Sequence, residues 1–474
     1  MRLLKFNNEI VDIDESTAIG IDVQAYDISN LSRRVNVSNK FSIPKTAHNM
    51  RLTGFAGNVQ SASQIVYDEF TAEYWINSVR FIQGAAYVTD VDDRINCYVY
   101  TKNSLFDNLK DLSFYEFQQL YVQWLYEKGF PSLDEPTTFT NFLTLLNNYL
   151  KIPYFKSNLD TVNMNLKDGT GDGGHFACNI LSVFEWIEYY FDVDLGVGRS
   201  FDYNIFEDTV FRNMIVPLRN ITVEGNMTSM YLNVKPCNFT PHDVQIYANE
   251  KTLYDFVSEI FKYFNCILDN NPYEIRRFDS IGNAPVVELS NFQSSYKFRP
   301  FLEGYNQVNY IKFKEIYDGG SEYLNSKKII CKNKNITSKE NTVLEIDAFI
   351  SRVISASDTA ADLSEEESFN TFSFLLETDE FTKSVSFNGT VLSITTNAAE
   401  IYSLASEYLK IEDIAEYPKV YEVKKYFSFP EINNIKFFRR FFVRELNGYF
   451  YIKKIKGFNP EKSSEPVTLT LIKL

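Results

Sequence analysis

The sequence predicts an α+β, β-rich protein, with small antiparallel β-barrel or sandwich units at its two ends, a helical insertion and a mixed α/β middle. Three observations predict it. Apolar and polar side chains alternate with a period of two through much of the first hundred residues. The apolar spacing shifts to three and four between about 105 and 200 and again over 253–264, and alternating runs with Asn-Gly turns return beyond 300. A strand sends successive side chains to opposite faces, whereas a helix gathers i, i+3 and i+4 on one, so the period separates the two structures.

In the run RRVNVSNKFSIPKTAHNMRLTGF (33–55), Val35, Val37, Phe41 and Ile43 alternate with Asn36, Ser38, Lys40 and Ser42. This reads as one strand with a buried and a wet face, stopped by Pro44, which cannot donate to the ladder. Ile19, Ile21, Val23 and Ala25 alternate with Gly20, Asp22, Gln24 and Tyr26, giving another. Three more are expected over 65–76, 79–91 and 95–100. Short strands at this spacing with polar turns suggest a small barrel or sandwich over 1–104.

Ser113 and Glu116 form a capping-box pattern ahead of Phe117, Leu120, Tyr121, Trp124 and Leu125, and Gly129 and Pro131 end that helix. A second helix is expected through Phe142, Leu143, Leu146, Tyr149 and Leu150, closing before Pro153, and a third through Ile180, Val183, Phe184, Ile187, Tyr190 and Phe191. The stretch 105–200 is therefore read as a helical insertion. Leu253, Phe256, Val257, Ile260, Phe261 and Phe264 follow the helical rule without a gap. They lead into CILDNNPYEIRRFDSIG, where Asn270-Asn271-Pro272 turns a hairpin, so 201–300 is a helix packed on a hairpin.

The last stretch, 301–474, is read as β-rich. Asn388-Gly389 and Asn447-Gly448 are expected to turn two-residue hairpins, since both central residues of such turns need positive φ. The segment 355–368 (SASDTAADLSEEES) reads as a mobile acidic loop. The chain ends on VTLTLIKL, an apolar strand that must be paired to something.

A chain of 474 residues exceeds a single core, and 45% hydrophobic content excludes wholesale disorder. Aromatic residues reach 16%, with 41 Phe and 31 Tyr, which favours strands and contact surfaces. The formal charge of −15 argues against a protein that grips duplex phosphates. It suits a conduit that must not hold nucleic acid, although the solubility of a large acidic protein accounts for it more simply. The N-terminal MRLLKFNNEIVDIDES lacks a signal-peptide core, and nowhere do about 18 apolar residues run together, so no membrane span is expected. Cys97, Cys178, Cys237, Cys266 and Cys331 are odd in number and scattered, which reads as reduced thiols from a cytosolic fold.

Candidate chemistry is sparse. With three histidines, His48, His175 and His242, nucleophilic triads are poorly supplied. His48 is expected in a solvated turn after Pro44, and His242 beside Asp243 is an ordinary dipeptide. DGTGDGGH (168–175) has oxygens for calcium and glycines for an anion nest, but matches neither the EF-hand nor the dinucleotide spacing, so a linker is the simpler reading. Glu365, Glu366 and Glu367 fall in the acidic loop, without a rigid frame to separate their pKa values. Arg439-Arg440 between Phe437-Phe438 and Phe441-Phe442 has the makings of a base-stacking platform, but reads more simply as an amphipathic strand or subunit interface. No catalytic, cofactor-binding or metal-ligating residue is assigned, and no cofactor or enzymatic activity is expected.

Four segments resemble the tail-hub (baseplate-hub or tail-tip) proteins of tailed bacteriophages and of prophages in Bacteroidota hosts. SRRVNVSNKFSIPKTAHN (32–49) is similar to the signature R-x-x-x-x-S-K-F-S-I-P-x-T-x-x-N, departing at Asn39, which separates Ser38 from Lys40. EYWINSVRFIQGAAYVTDV (73–91) resembles a strand pair in which a glycine, here Gly84, follows an aromatic-aliphatic run. TLYDFVSEIFKYFNCILDNNPYEIRRF (252–278) and LNGYFYIKKIKGFNPEKSSEPVTLTLIKL (446–474) complete the set in order. The resemblance leaves 105–200 and 355–368 uncovered.

It implies small β-barrels of baseplate-hub type. Apolar strand edges at both termini would join copies into a homo-oligomeric ring, three copies favoured and six the alternative, at the distal end of the tail. Such a ring would seat spike or fibres, contact the tube and let genomic DNA pass without specific binding. The chain would be made in the host cytoplasm and reside in the virion tail. The rivals are a head-proximal tail adaptor or tube protein and a glycan-degrading tail enzyme; a phage-derived injection machine would share the same sequence features.

Overall fold

The computed structural model describes residues 2–27, 32–33, 37–100, 108–130, 150–154, 175–212, 214–218, 221–226, 229–234, 251–269, 273–313, 326–346, 348–352, 372–376, 381–387, 390–396, 404, 407–433, 435–462 and 464–474. The chain opens with β1 (Arg2–Phe6) and β2 (Glu9–Val11), joined through Asn7 and Asn8, both at positive φ. β3 (Ile21–Gln24) buries Ile21 and Val23, and Ile19 and Ala25 beside it are buried too.

The single strand expected over 33–43 is instead broken. Ser32–Arg33 pairs with Tyr26–Asp27, β4 (Val37–Ser38) pairs with β3 and with Tyr100, and β5 (Phe41–Pro44) resumes along the same neighbouring strand, Phe41 opposite Cys97. Asn39 causes the break. Its amide donates to the Ala18 and Lys40 carbonyls (3.0 Å each) and accepts from the Gly20 N–H, a local bonding pattern that competes with a ladder. Ser38 consequently faces inward and not to water, its hydroxyl accepting from the Val99 N–H at 2.8 Å.

Pro44 does end the extended run, but α1 (Ala47–Leu52) follows at once, capped by Thr46. Ile65–Tyr67 is a 3₁₀ turn, so the next strand, β6, is confined to Phe70–Ile76. β7 (Val79–Val91) and β8 (Arg94–Tyr100) match expectation.

α2 (Phe114–Glu127) carries the Ser113/Glu116 capping box, and α3 (Ile180–Phe191) and α4 (Leu253–Tyr263) fall where their periodicity places them. Of the helix expected at 142–150, residues up to 149 lie outside the described part. Leu150 belongs to a strand, Leu150–Tyr154, in keeping with the bias of residues before Pro153 against helix. That strand joins His175–Asn179, Met214–Leu218, Phe372–Leu376 and Ala348–Arg352 in a five-stranded sheet. β9 (Cys266–Asp269) and β10 (Glu274–Arg277) form the expected hairpin, and Phe381–Phe387 pairs antiparallel with Thr390–Thr396, Phe387 opposite Thr390, as expected around Asn388-Gly389; the turns of both hairpins and the 355–368 loop lie outside the described residues.

Farther on come β11 (Val286–Leu289), β12 (Phe292–Arg299), β13 (Val308–Phe313), β14 (Ser326–Ile330) and β15 (Glu340–Ile346). After them lie α5 (Leu409–Glu416), β16 (Val420–Lys425), β17 (Arg440–Val443), β18 (Gly448–Phe458) and β19 (Val467–Lys473). The hairpin expected at Asn447-Gly448 forms, β17 pairing antiparallel with β18 from Val443 opposite Gly448 to Phe441 opposite Phe450, but its turn is longer than two residues. Arg444–Leu446 is a 3₁₀ turn, and Asn447 takes the left-handed conformation at φ +43 ahead of Gly448, the first residue of β18.

The two ends of the chain share one 14-stranded sheet, in the order β12-β16-β19-β18-β3-β4-β8-β7-β6-β1-β2, with β17 on β18, β11 on β17 and β5 on β8. The seam is antiparallel, Ile455 opposite Val23 and Phe458 opposite Ile21. Leu4, Phe6, Phe41, Phe70 and Tyr74 therefore share a core with Val423, Phe450, Leu469 and Leu471. A second core gathers the helices through Phe117, Trp186, Phe256 and Ile260, together with Ile311, Ile346 and Ile411. Residues 301–474 contribute to both. The terminal strand β19 is paired, as its apolar character requires, but with β16 and β18 of its own chain, so neither of its edges is open to another copy. Among the described residues, no helix is long and apolar enough to cross a membrane.

Candidate assembly surface

An open edge does exist at β12. Asn291, at φ +64, turns the chain into it, and it pairs with β16 alone; among the described residues no strand borders its other side. Lys425 anchors the entry. Its buried ammonium donates to the Ser290 and Tyr426 carbonyls at 2.9 and 3.2 Å, and lies 3.4 Å from Glu431 and 4.5 Å from the Phe427 ring. Arg299 pins the exit, 2.6 Å from Glu422.

Between these anchors Tyr296 and Phe298 are 58% and 46% exposed. The register sets Tyr296 opposite Val423 and Phe298 opposite Tyr421, on the face that carries Leu469 and Leu471 into the core. Their rings lie 5.7 and 5.2 Å from Tyr421, which packs edge-on against buried Phe450 at 5.5 Å. The apolar core thus runs unbroken to the edge and is wet there, with exposed Phe301 just beyond. Uncovered aromatic area beside unpaired backbone groups favours association. Lys297, Lys419 and Lys424 are exposed nearby.

α5, which leads into β16, is itself tied down on two sides. Asp279 accepts from the Tyr408 and Lys410 N–H groups, 2.8 Å each, fixing Tyr408 at φ +61 ahead of α5. Burial pushes the Asp279 carboxyl above its usual pKa range, against these hydrogen bonds and the nearby Arg277. Arg277 reaches Glu407 at 3.0 Å and Asp208 at 3.2 Å. α5 is further tied to β14 by Lys327 and Glu412 at 2.6 Å. Three carboxylates gather here, but each is engaged by Arg277 or by backbone N–H groups, which is the arrangement of a structural clamp.

The opposite end of the sheet is acidic and apolar. Glu9, Ile10, Asp12 and Glu15 are exposed. α1 covers part of the β2 edge: His48 Nε2 lies 2.7 Å from the Ile10 carbonyl, and the buried Asn49 accepts from the Asp12 N–H and donates to the Asp12 and Pro44 carbonyls, 2.9 Å each. His48 is thus a helix residue engaged with the β2 backbone, not a solvated turn residue. The following loop carries no charge from 52 to 67. It presents Phe55, Val59, Ile65 and Tyr67 to solvent, shaped by positive φ at Gly54, Phe55 and Gly57.

The other sequence candidates do not converge. Asp168–Gly174, His242 and Glu365–Glu367 lie outside the described residues, and His175 opens a strand. Arg440 donates to the Ala284 carbonyl at 2.7 Å and lies over Tyr449, within the amphipathic β17, so it is no free stacking platform. Cys97, Cys266 and Cys331 are buried free thiols, and burial pushes Cys97 up to about 12. Among the described residues, no group of three or more His, Cys, Asp or Glu side chains is placed to hold a metal ion. The β12 surface was missed in the sequence, because alternating Tyr296, Lys297, Phe298 and Arg299 looks the same whether or not the apolar face is covered.

No protein-family model matches the chain, and no curated protein matches it. Among solved structures it is similar to the 43 kDa tail protein of prophage MuSo2 from Shewanella oneidensis, with a TM-score of 0.37 and 10% identity over 100% of this chain and 97% of that one. A prophage tail protein, gp18, from Listeria monocytogenes EGD-e gives 0.36 and 7% over 99% and 94%. The tail protein from Neisseria meningitidis MC58 gives 0.37 and 8% over 100% and 96%. At these scores the likeness carries no functional assignment.

Proposed function

We propose that this chain is a non-enzymatic structural protein of a phage or prophage tail, a hub that joins sister copies into a ring at the distal end. The observation that carries the reading is where the resembling segments sit. Those at 32–49, 73–91 and 446–474 are remote in sequence, yet β4, β5, β7, β18 and β19 are members of one sheet around one core. The segment at 252–278 supplies α4 and the β9–β10 hairpin. The open aromatic edge of β12 supports an assembly role, since exposed aromatic side chains beside unpaired backbone groups favour a partner.

In this reading the units 1–104 and 301–474 meet in the shared sheet, to which the end of 201–300 adds β11 and β12, while 105–200 and the rest of 201–300 form the helical and mixed parts. Three copies are favoured, with six the alternative. The acidic chain lines a channel for DNA without binding it, and tube, spike and fibre proteins are the neighbours. Host and compartment follow the resemblance: a Bacteroidota cell, with synthesis in its cytoplasm.

Antibody labelling of purified particles tests the proposal. Label at the distal tail tip is expected. Label at the head-proximal end would move the protein to the adaptor, and its absence from particles would end the tail reading. Incubation with peptidoglycan or capsule is expected to release no products; turnover would favour the enzyme.

A further inference from the structure

We propose that the β12 end of one copy receives the β2–α1 end of a second copy, head to tail. This names the partner surface within the assembly proposed above and rests on that reading for taking self-association as the role.

The two ends complement each other in charge and in apolar content. At the β12 end, Tyr296, Phe298 and Phe301 are exposed, with Lys419 at the end of the edge and Lys297 and Lys424 on its reverse face; none of these lysines is engaged in a salt bridge among the described residues. At the other end, Glu9, Asp12 and Glu15 are exposed and outnumber the exposed Lys45 and Arg51; they flank Ile10 and the uncharged loop of Phe55, Val59 and Tyr67, and Asp12 also accepts from the Thr46 hydroxyl at 2.5 Å. Apolar surface buried in the centre with opposite charges around it is the usual anatomy of a specific interface.

The contact is not a continued β-ladder. His48 and Asn49 already occupy the Ile10 carbonyl and the Asp12 N–H, so β2 has little left to offer a neighbouring strand. Side chains therefore carry the interaction, with the loop covering the aromatic face of β12. Because the surfaces differ, the contact is heterologous and propagates from copy to copy until a ring closes.

Sedimentation velocity on the full-length chain tests this. The unmodified protein is expected to associate with rising concentration, and less so at high salt. Phe298→Glu and Tyr67→Glu should each weaken association at least about tenfold. Mixed in equal amounts they should form a dimer and nothing larger, because each retains one intact end. Lys297→Glu with Lys424→Glu gives a second, milder block at the β12 end, and adding Glu9→Lys and Glu15→Lys in the same chain should restore association. An unmodified chain that stays monomeric, a Tyr67→Glu chain that assembles normally, or a mixture that forms no dimer overturns the proposal. Association without presence in particles would leave this contact standing and remove the tail reading; presence in particles with a monomeric chain would do the reverse.

Discussion

The Arg2 guanidinium lies 3.0 Å from the carboxylate of Glu461, 459 positions away, and the other Glu461 oxygen accepts from the Tyr74 hydroxyl. The first described strand is thus clamped to the turn between the last two, β18 and β19. Arg2 also donates to the Thr17 and Asp14 carbonyls at 2.9 and 3.1 Å, so the clamp extends to the approach to β3. Burial, and then Glu461, raise the Tyr74 pKa, which keeps the hydroxyl protonated as a donor.

Removing that acceptor should be costly. Glu461→Ala leaves the buried Tyr74 hydroxyl without its partner and should destabilise the fold by about 1–3 kcal/mol in denaturant unfolding. Tyr74→Phe in the same background should recover part of the loss. Glu465→Ala, which removes an exposed partner of Lys462, should change stability by less than about 0.5 kcal/mol.

Arg277 should tolerate substitution poorly. Arg277→Met leaves the carboxylate of the buried Glu407 without its cation, at an expected cost of about 3–5 kcal/mol. Adding Glu407→Gln should return much of it, and a double-mutant cycle would register the coupling.

Asp14 sets an acid limit on the sheet. The hydrogen bonds from Arg94 (2.8 and 3.0 Å), and then from Ser16, hold its carboxyl well below the usual carboxylate range. The folded state thus favours the ionised form. This contribution is complete above the unfolded pKa of about 3.9 and is lost as pH falls below it toward the folded value. Asp14→Asn should flatten the fall in stability below about pH 4 and leave the slope near neutrality unchanged.

Two glycines at positive φ should respond differently to alanine. A Cβ on Gly54, at φ +63, would meet Ser63 Oγ at 2.3 Å and Ile65 Cβ at 2.9 Å. One on Gly129, at φ +95, meets nothing within 4 Å. Gly129→Ala should cost about 1 kcal/mol from backbone strain alone, and Gly54→Ala clearly more, read as midpoints of thermal unfolding.

Local structure was legible wherever one period and its caps agreed. Ser113 with Glu116 marked α2, the apolar face from Leu253 marked α4, and alternation marked β7 and β8. It failed where a side chain outcompeted the ladder, as Asn39 does between β4 and β5, while at Asn447-Gly448 the hairpin was foreseen and only the length of its turn, extended by a 3₁₀ turn, was not. The pairing of β3 with β18 was invisible, because no local pattern announces a partner more than four hundred positions away. The exposed face of β12 was hidden for a related reason: periodicity reports which side is apolar, not whether anything covers it. That the terminal strand is paired could be foreseen, but not that its partners lie in its own chain.

Hydrogen exchange at the β12 amides tests the account most directly. The residues from Tyr296 to Arg299 should exchange rapidly in the dissociated chain at amides turned away from β16. Within intact tail particles the same amides should slow by about tenfold or more as a neighbour covers the edge. Equal rates in both states, or protection already complete in the dissociated chain, would contradict the account.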